Sequence, residues 1–260
     1  MTLTYGSYLR IPELLSLQSP RSTGPEHDET LFIIIHQVYE LWFKQQLHET
    51  DHLVELFRAG EGPQAAHTLK RMLTILKTMV AQIDVLETMT PVEFLSFRNF
   101  LASASGFQSW QFRAFESAFG HKHAGALERY PAGSAERAEL ERRLRAPTVW
   151  DAFQELLRRH GHAVPAPDPA RAVDATPAES PALQDLLVSL YHARHADAGL
   201  CELLVDFDEG VQEWRYRHVK MVERTIGFKR GTGGSSGAEY LRSTLFRPFF
   251  PDLWAIRTRL

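Results

Sequence analysis

A single cysteine, Cys201, in 260 residues excludes an intrachain disulfide framework and any zinc site built on cysteines. No run reaches the ~20 apolar residues that a bilayer span needs. The opening MTLTYGSYLRIPELL lacks the basic start and apolar stretch of a secretory signal. Neither sign of charge dominates: the formal net charge of −3 sets up no field that would gather nucleic acid or a membrane surface. A complete phosphate loop is missing as well. The stretch GFKRGTGGSSG, 227–237, comes nearest, but five residues on from Gly227 stands Thr232, and from Gly231, Ser236, so no P-loop closes. Gly231 and Gly233 begin a dinucleotide fingerprint whose third glycine place holds Ser236, and the preceding VQEWRYRHVKMVERTI has the period of a helix, not a strand. What remains is a nest of backbone N–H groups beside Lys229 and Arg230, suited to an anion but outside a nucleotide fold. The expectation is a soluble, cytoplasmic, globular protein.

What the chain has is helical periodicity, an aromatic share of 11% and twelve histidines. Asp28 is placed to cap a helix running from about Glu29 through LFIIIHQVYELWFKQQLHETDHLVELF. A second helix covers roughly Gln64 to Glu87, with Leu69, Met72, Leu73, Leu76, Met79, Val80 and Ile83 on one stripe. Thr90, Pro91 and Glu93 form a start signal for PVEFLSFRNFLA, and FQSWQFRAFESAF follows, ended by Gly120. Residues 124–162 are charged and helical, with breaks at Pro131 and Pro147. Residues 163–181 hold five prolines and few large apolar groups, which marks a loop or linker. One long helical stretch, about 182–226, leads into the glycine-rich loop. With no repeat, hairpin series or alternating strand–helix pattern, the predicted architecture is all-α: one helical domain over 1–260 with a Pro-rich insertion at 163–181.

Four features could carry chemistry. HETDH, 48–52, fits His-Glu-x-x-His, which on a helix sets His48 and His52 on one face with Glu49 as a base. Polar Thr50 and Asp51 between them, and no evident third ligand downstream, favour a solvated face. His36 sits in FIIIHQVYELWF with Phe32, Tyr39 and Phe43 around it, an aromatic face with one imidazole. His218 shares a stripe with Val211, Trp214, Met221, Val222 and Thr225. A neutral imidazole on an apolar helix face can hold haem iron, and without Cys-x-x-Cys-His such a haem is non-covalent. Considered on its own helix, each of these two histidines reads more readily as a satisfied core residue than as a ligand. Arg98 follows EFLSF on an apolar face, where its guanidinium requires an anion: an internal carboxylate, or a ligand carboxylate held by the fork. The basic–aromatic run WRYRHVKMVERTIGFKR could address nucleic acid, but five acidic residues lie just upstream, between Glu202 and Glu213.

Taken together, LTYGSYL (3–9), HDETLFIIIHQVYELWFK (27–44), LETMTPVEFLSFR (86–98), SASGFQSWQFR (103–113), WRYRH (214–218) and IGFKRGTGGSSG (226–237) resemble the tryptophan 2,3-dioxygenase family, in its order and over nearly the whole chain. The resemblance implies a homotetramer of helical subunits, each with one haem b. It implies addition of both atoms of O2 across the indole C2–C3 bond of L-tryptophan to give N-formylkynurenine, the first step of the kynurenine route. His218 would be the proximal iron ligand and His36 the distal histidine, bonded to the indole N–H. Phe32 would pack on the indole and Arg98 would clamp the substrate carboxylate. Thr232, with Gly231 beside it in the glycine-rich loop, would contact the amino-acid end. Tyr5 and Tyr8 would close the pocket of a neighbouring subunit, and Ser105 and Gly106 would lie near the haem. Phe94 stands where some members carry Tyr, and Ile83 where an aromatic is expected at the haem edge; little sequence precedes LTYGSYL. Two readings compete: a zinc hydrolase using His48, Glu49 and His52, and a non-catalytic sensor of haem or an aromatic amino acid.

Overall fold

The computed structural model describes residues 2–166, 175–176, 178–229 and 237–260. Among these, every regular element is helical. Two short helices, α1 (Tyr5–Leu9) and α2 (Ile11–Leu15), bury none of their residues; a Thr4–Ser7 capping box starts the first. The long α3 (His27–Ala59) and α4 (Gly62–Leu86) follow, joined at Gly60, whose φ of 81° ends α3 in the left-handed region open to glycine. The start of α3 corrects the expectation for Asp28. Glu26 occupies the cap position without a side-chain cap bond. The buried Glu29 carboxylate instead accepts the N–H groups of Arg21 and Ser22 and the Ser22 hydroxyl, tying the incoming chain to the first turn.

The Thr90–Glu93 capping box forms as predicted and starts α5 (Pro91–Arg98), which tightens into a 3-10 turn at Asn99–Leu101. The FQSWQFRAFESAF segment divides. Ser105 caps a 3-10 turn at Gly106–Gln108, and Ser109 caps α6 (Trp110–Ala118). Next come α7 (Ala135–Arg145) and α8 (Val149–Arg159), capped by Ser134 and Thr148. The predicted continuous helix over 182–226 is two helices, α9 (Pro181–His192) and α10 (Ala196–Ile226). Arg194 turns left-handed at φ 51°, and the His195 ring caps α10 by accepting the Asp197 N–H at 3.2 Å. The chain closes with α11 (Ala238–Arg242) and α12 (Pro251–Ala255). Of the Pro-rich segment, residues 167–174 and 177 lie outside the described residues.

One apolar core runs through these helices. α4 packs along both α3 and α10, α8 packs on α3, and α6 lies between α3 and α7. Of the α4 stripe, Leu69, Met72, Leu76, Met79, Val80 and Ile83 are buried as their spacing predicts, while Leu73 is half-buried. Gly210 marks the closest crossing of α10 and α4: a Cβ there would lie 2.9 Å from Leu76 Cδ2. The C-terminal segment is held by one buried carboxylate. Asp208 accepts the N–H groups of Phe249 and Phe250 at 2.9 and 3.1 Å and the Trp254 indole N–H at 2.9 Å. No helix of the described residues is long and apolar enough to cross a membrane.

Candidate functional site

Three helices set the site. On α3, Phe32 and His36 are one turn apart, with ring centroids 4.1 Å apart. The His36 Nδ1–H donates to the Phe32 carbonyl at 2.7 Å. A carbonyl only accepts, so Nδ1 carries the proton and, in the neutral ring, Nε2 keeps a lone pair. Burial lowers the His36 pKa, which keeps the ring neutral. On α5, Phe94 and Phe97 pack on Phe32 at 5.7 and 5.5 Å. Arg98, one turn beyond Phe94, is half-buried at the end of that helix. α5 touches both α3 and α10.

From α10 comes His218, its ring parallel to the Trp214 indole, 5.4 Å between centroids and 1° between planes. Trp214 is itself wedged among Tyr39, Phe43 and Phe112, and the Tyr39 hydroxyl donates to the Met79 carbonyl at 2.6 Å. His218 makes no hydrogen bond to a described residue. Burial, and then the neighbouring His36, push its pKa down to about 4, so the ring is neutral at pH 7. His36 and His218 thus lie in one neighbourhood, reached from different helices, α3 and α10. The structure therefore brings Phe32, His36 and His218 together, with Arg98 on the adjoining helix.

Ser105 and Gly106 sit in the turn before α6. The Ser105 hydroxyl accepts the Phe107 N–H at 3.3 Å, and a Cβ on Gly106 would meet nothing within 4 Å, so the protein's own packing does not require glycine there. Tyr5 and Tyr8 are not brought to the site of their own chain: they are 78% and 71% exposed. Their arm meets α3 next to the site, where Gln18 donates to the Gln37 side chain at 2.7 Å and Gln37 donates to the Leu17 carbonyl at 3.1 Å. Gly231, Thr232 and Arg230 lie outside the described residues; Lys229 is exposed.

The remaining motifs resolve into structural roles. Glu49 is buried and paired with Arg71 of α4 at 3.1 Å, while His48 and His52 face solvent. His48, Asp51 and His52 thus lie on a solvated face, but the expectation fails for Thr50, which is buried and donates its hydroxyl to the Gln46 carbonyl. The basic run of α10 is largely spent on carboxylates: Arg215 on Glu116, Arg217 on Asp84 and Glu87, Arg224 on Glu87. Sequence reasoning placed Trp214 on the stripe of His218 but missed it as that ring's stacking partner; the i, i+4 spacing of an aromatic and an imidazole was the available signal.

Comparison with known proteins points to one family. The family model described as tryptophan 2,3-dioxygenase matches residues 1–161 and 178–260. A tryptophan 2,3-dioxygenase of Herpetosiphon aurantiacus is 58% identical over 99% of this chain and 98% of its own. One from Anaeromyxobacter sp. (strain K) is 56% identical over 99% and 96%, and one from Xanthomonas campestris pv. campestris 41% identical over 98% and 87%.

Proposed function

The chain belongs to the tryptophan 2,3-dioxygenase family, and from that premise we propose that it is a dioxygenase adding both atoms of O2 across the indole C2–C3 bond of L-tryptophan to give N-formylkynurenine. The observation that carries this reading is the tautomer of His36. With Nδ1–H committed to the Phe32 carbonyl, the ring offers Nε2 as an acceptor, and an indole presents one N–H donor. A neutral acceptor beside the Phe32, Phe94 and Phe97 rings suits a flat aromatic substrate with a single polar edge.

The residues also fit a haem b. His218 is a neutral imidazole with no hydrogen-bonded neighbour among the described residues, stacked on the Trp214 indole, and a neutral imidazole is the donor that haem iron takes. Ser105 and Gly106, in the turn before α6, would lie beside it. When bound, haem supplies the ferrous iron that activates dioxygen. The chain's own residues orient the substrate. His36 Nε2 holds the indole N–H and Phe32 packs on the ring. The Arg98 fork takes the carboxylate, with Thr232 and Gly231 at the amino-acid end. Phe94, without a hydroxyl, leaves the carboxylate to Arg98.

A homotetramer is part of the proposal. Leu3, Tyr5, Tyr8 and Leu15 project 71–78% exposed from an arm that buries none of its helical residues. A contiguous apolar surface of this kind is what a neighbouring subunit covers, and Tyr5 and Tyr8 would there close the partner's pocket. The proposed location is the cytoplasm.

The test is an absorption spectrum followed by turnover. The purified protein is expected to show a haem Soret band, and after reduction to convert L-tryptophan and O2 to N-formylkynurenine. His218→Ala should lose the haem. A His218→Ala protein with full haem content and activity would overturn the ligand assignment. Haem and tryptophan binding without product would leave a sensor.

A further inference from the structure

At the far end of α10 from His218, about 30 Å along the helix axis, three imidazoles close on one carboxylate. Asp197, in the first turn of α10, is 3% exposed. Its Oδ2 lies 2.9 Å from His162 Nε2 and 3.3 Å from His195 Nδ1. The His162 and His195 rings meet edge to face with centroids 4.6 Å apart. The ligand-type atoms of His162, His195 and Asp197 all fall within 4.8 Å of one another. A tetrahedral zinc with bonds of ~2.0–2.1 Å has ligand–ligand edges of ~3.3–3.4 Å, close to the 2.9 and 3.3 Å from Asp197 to the two imidazoles.

The His195–Asp197 contact is the telling one. His195 Nδ1 accepts the Asp197 backbone N–H at 3.2 Å, so it carries a lone pair and no proton. It nevertheless faces a carboxylate oxygen at 3.3 Å. A cation between these two electron-rich atoms takes the one Nδ1 lone pair in exchange for the bond from the Asp197 N–H. His160 holds the carboxylate from behind: its Nδ1 lies 2.9 Å from Oδ1 and 3.0 Å from Oδ2, and its Nε2 is 3.1 Å from the Gly60 carbonyl at the α3–α4 turn. That is the outer-sphere orientation a metal-ligating carboxylate receives.

We propose that His162, His195 and Asp197 form a second, non-haem site for a divalent transition metal of the zinc class. Two imidazoles and a carboxylate suit Zn2+ and disfavour Mg2+ or Ca2+, which take all-oxygen shells. The metal replaces the proton that His162 Nε2 shares with Asp197 Oδ2, and the ring keeps its remaining proton on Nδ1. Three protein ligands leave the fourth position to water. Distant from His36 and His218, the site acts as a staple: it ties the chain leaving α8 to the first turn of α10, across the entry to the Pro-rich segment.

The experiment uses tag-free holoenzyme, stripped of loose metal, equilibrated with micromolar ZnCl2 or MgCl2 and desalted, with zinc and iron counted per chain. The wild type is expected to retain one zinc, no magnesium and its full iron, and to gain thermal stability with zinc only. His162→Gln and His162→Gln/His195→Ser should retain iron and the Soret band, which proves the fold, but lose the zinc and its stabilisation; serine keeps the cap of α10. Failure of the wild type to retain zinc overturns the proposal. So does equal retention in the double variant, which would place the metal on other histidines.

Discussion

Asp208→Ala should be among the most damaging single changes away from the reaction centre. The carboxylate is fully buried and collects three donors from the C-terminal segment: the Phe249 and Phe250 backbone N–H groups and the Trp254 indole N–H. Alanine leaves all three without this partner, the two backbone N–H groups buried and the indole N–H half-buried, at about 1–3 kcal/mol each. Part of this is offset, because burial makes the carboxylate itself costly and raises its pKa. The net loss expected is about 3–5 kcal/mol, the range seen when a buried polar network is broken. At about 2–4 °C per kcal/mol for a chain of this size, the thermal midpoint falls by roughly 6–20 °C. Asp208→Asn keeps an acceptor and should lose less than half as much. The sign with pH follows from the raised folded pKa. The native state takes up this proton more readily than the unfolded chain, so the carboxylate's contribution favours folding most at acid pH. It declines as pH rises from about 4 through the folded pKa. The stability gap between wild type and Asp208→Asn should therefore be wider at acid pH than at neutrality. Thermal unfolding followed by circular dichroism, holoenzyme against holoenzyme, measures both effects. A midpoint change under 2 °C for Asp208→Ala would refute the reasoning.

Three further outcomes are expected. Glu116→Gln removes the anion shared by Arg113 and Arg215, which pair with it at 2.6 and 3.1 Å in a buried cluster, and should cost about 3–5 kcal/mol by thermal unfolding. Gly210→Ala gains about 0.5–1 kcal/mol in helix propensity, but its Cβ presses on Leu76 Cδ2 at 2.9 Å, and overpacking of about 1–3 kcal/mol leaves a net loss near 1 kcal/mol; a stabilised variant would show that the crossing yields. Arg98→Ala should weaken tryptophan binding by about 2–3 kcal/mol, roughly 30- to 150-fold in Kd by spectral titration, and Arg98→Lys by less, since the charge stays while the fork is lost.

Features encoded within one turn were legible in the sequence; those that depend on a distant partner were not. Thr90 and Glu93 satisfy each other across three residues, so their box was readable. Asp28 had the right type and place for a cap, but Glu29, by reaching back to Ser22, set the entry to α3. The break between α9 and α10 carries no Gly or Pro; Arg194 and His195 make it together, and only the bond from the Asp197 N–H reveals why it holds. HETDH shows that spacing gives a shared face without saying which face: Arg71 on α4 draws Glu49 inward and leaves both histidines outside. At the candidate site, His36 and His218 were legible as imidazoles on apolar stripes, and Phe32 as an aromatic one turn before His36. That α3 and α10 bring those two histidines into one neighbourhood needed the fold. The arm with Tyr5 and Tyr8 has its chemistry in the sequence, but within one chain it is packed against no core.

The parallel stack of Trp214 on His218 has a consequence for timing. An imidazole on a helix normally turns about two side-chain bonds, and most of those orientations aim its nitrogens away from any one target. Here an indole lies flat against one face, at 5.4 Å and 1°, and is itself braced by Tyr39, Phe43 and Phe112. The ring's torsional freedom is given up during folding, when the core closes. Whatever His218 binds then meets a donor whose direction is already chosen, without the ordering cost of about 0.5–1.5 kcal/mol for a free side chain.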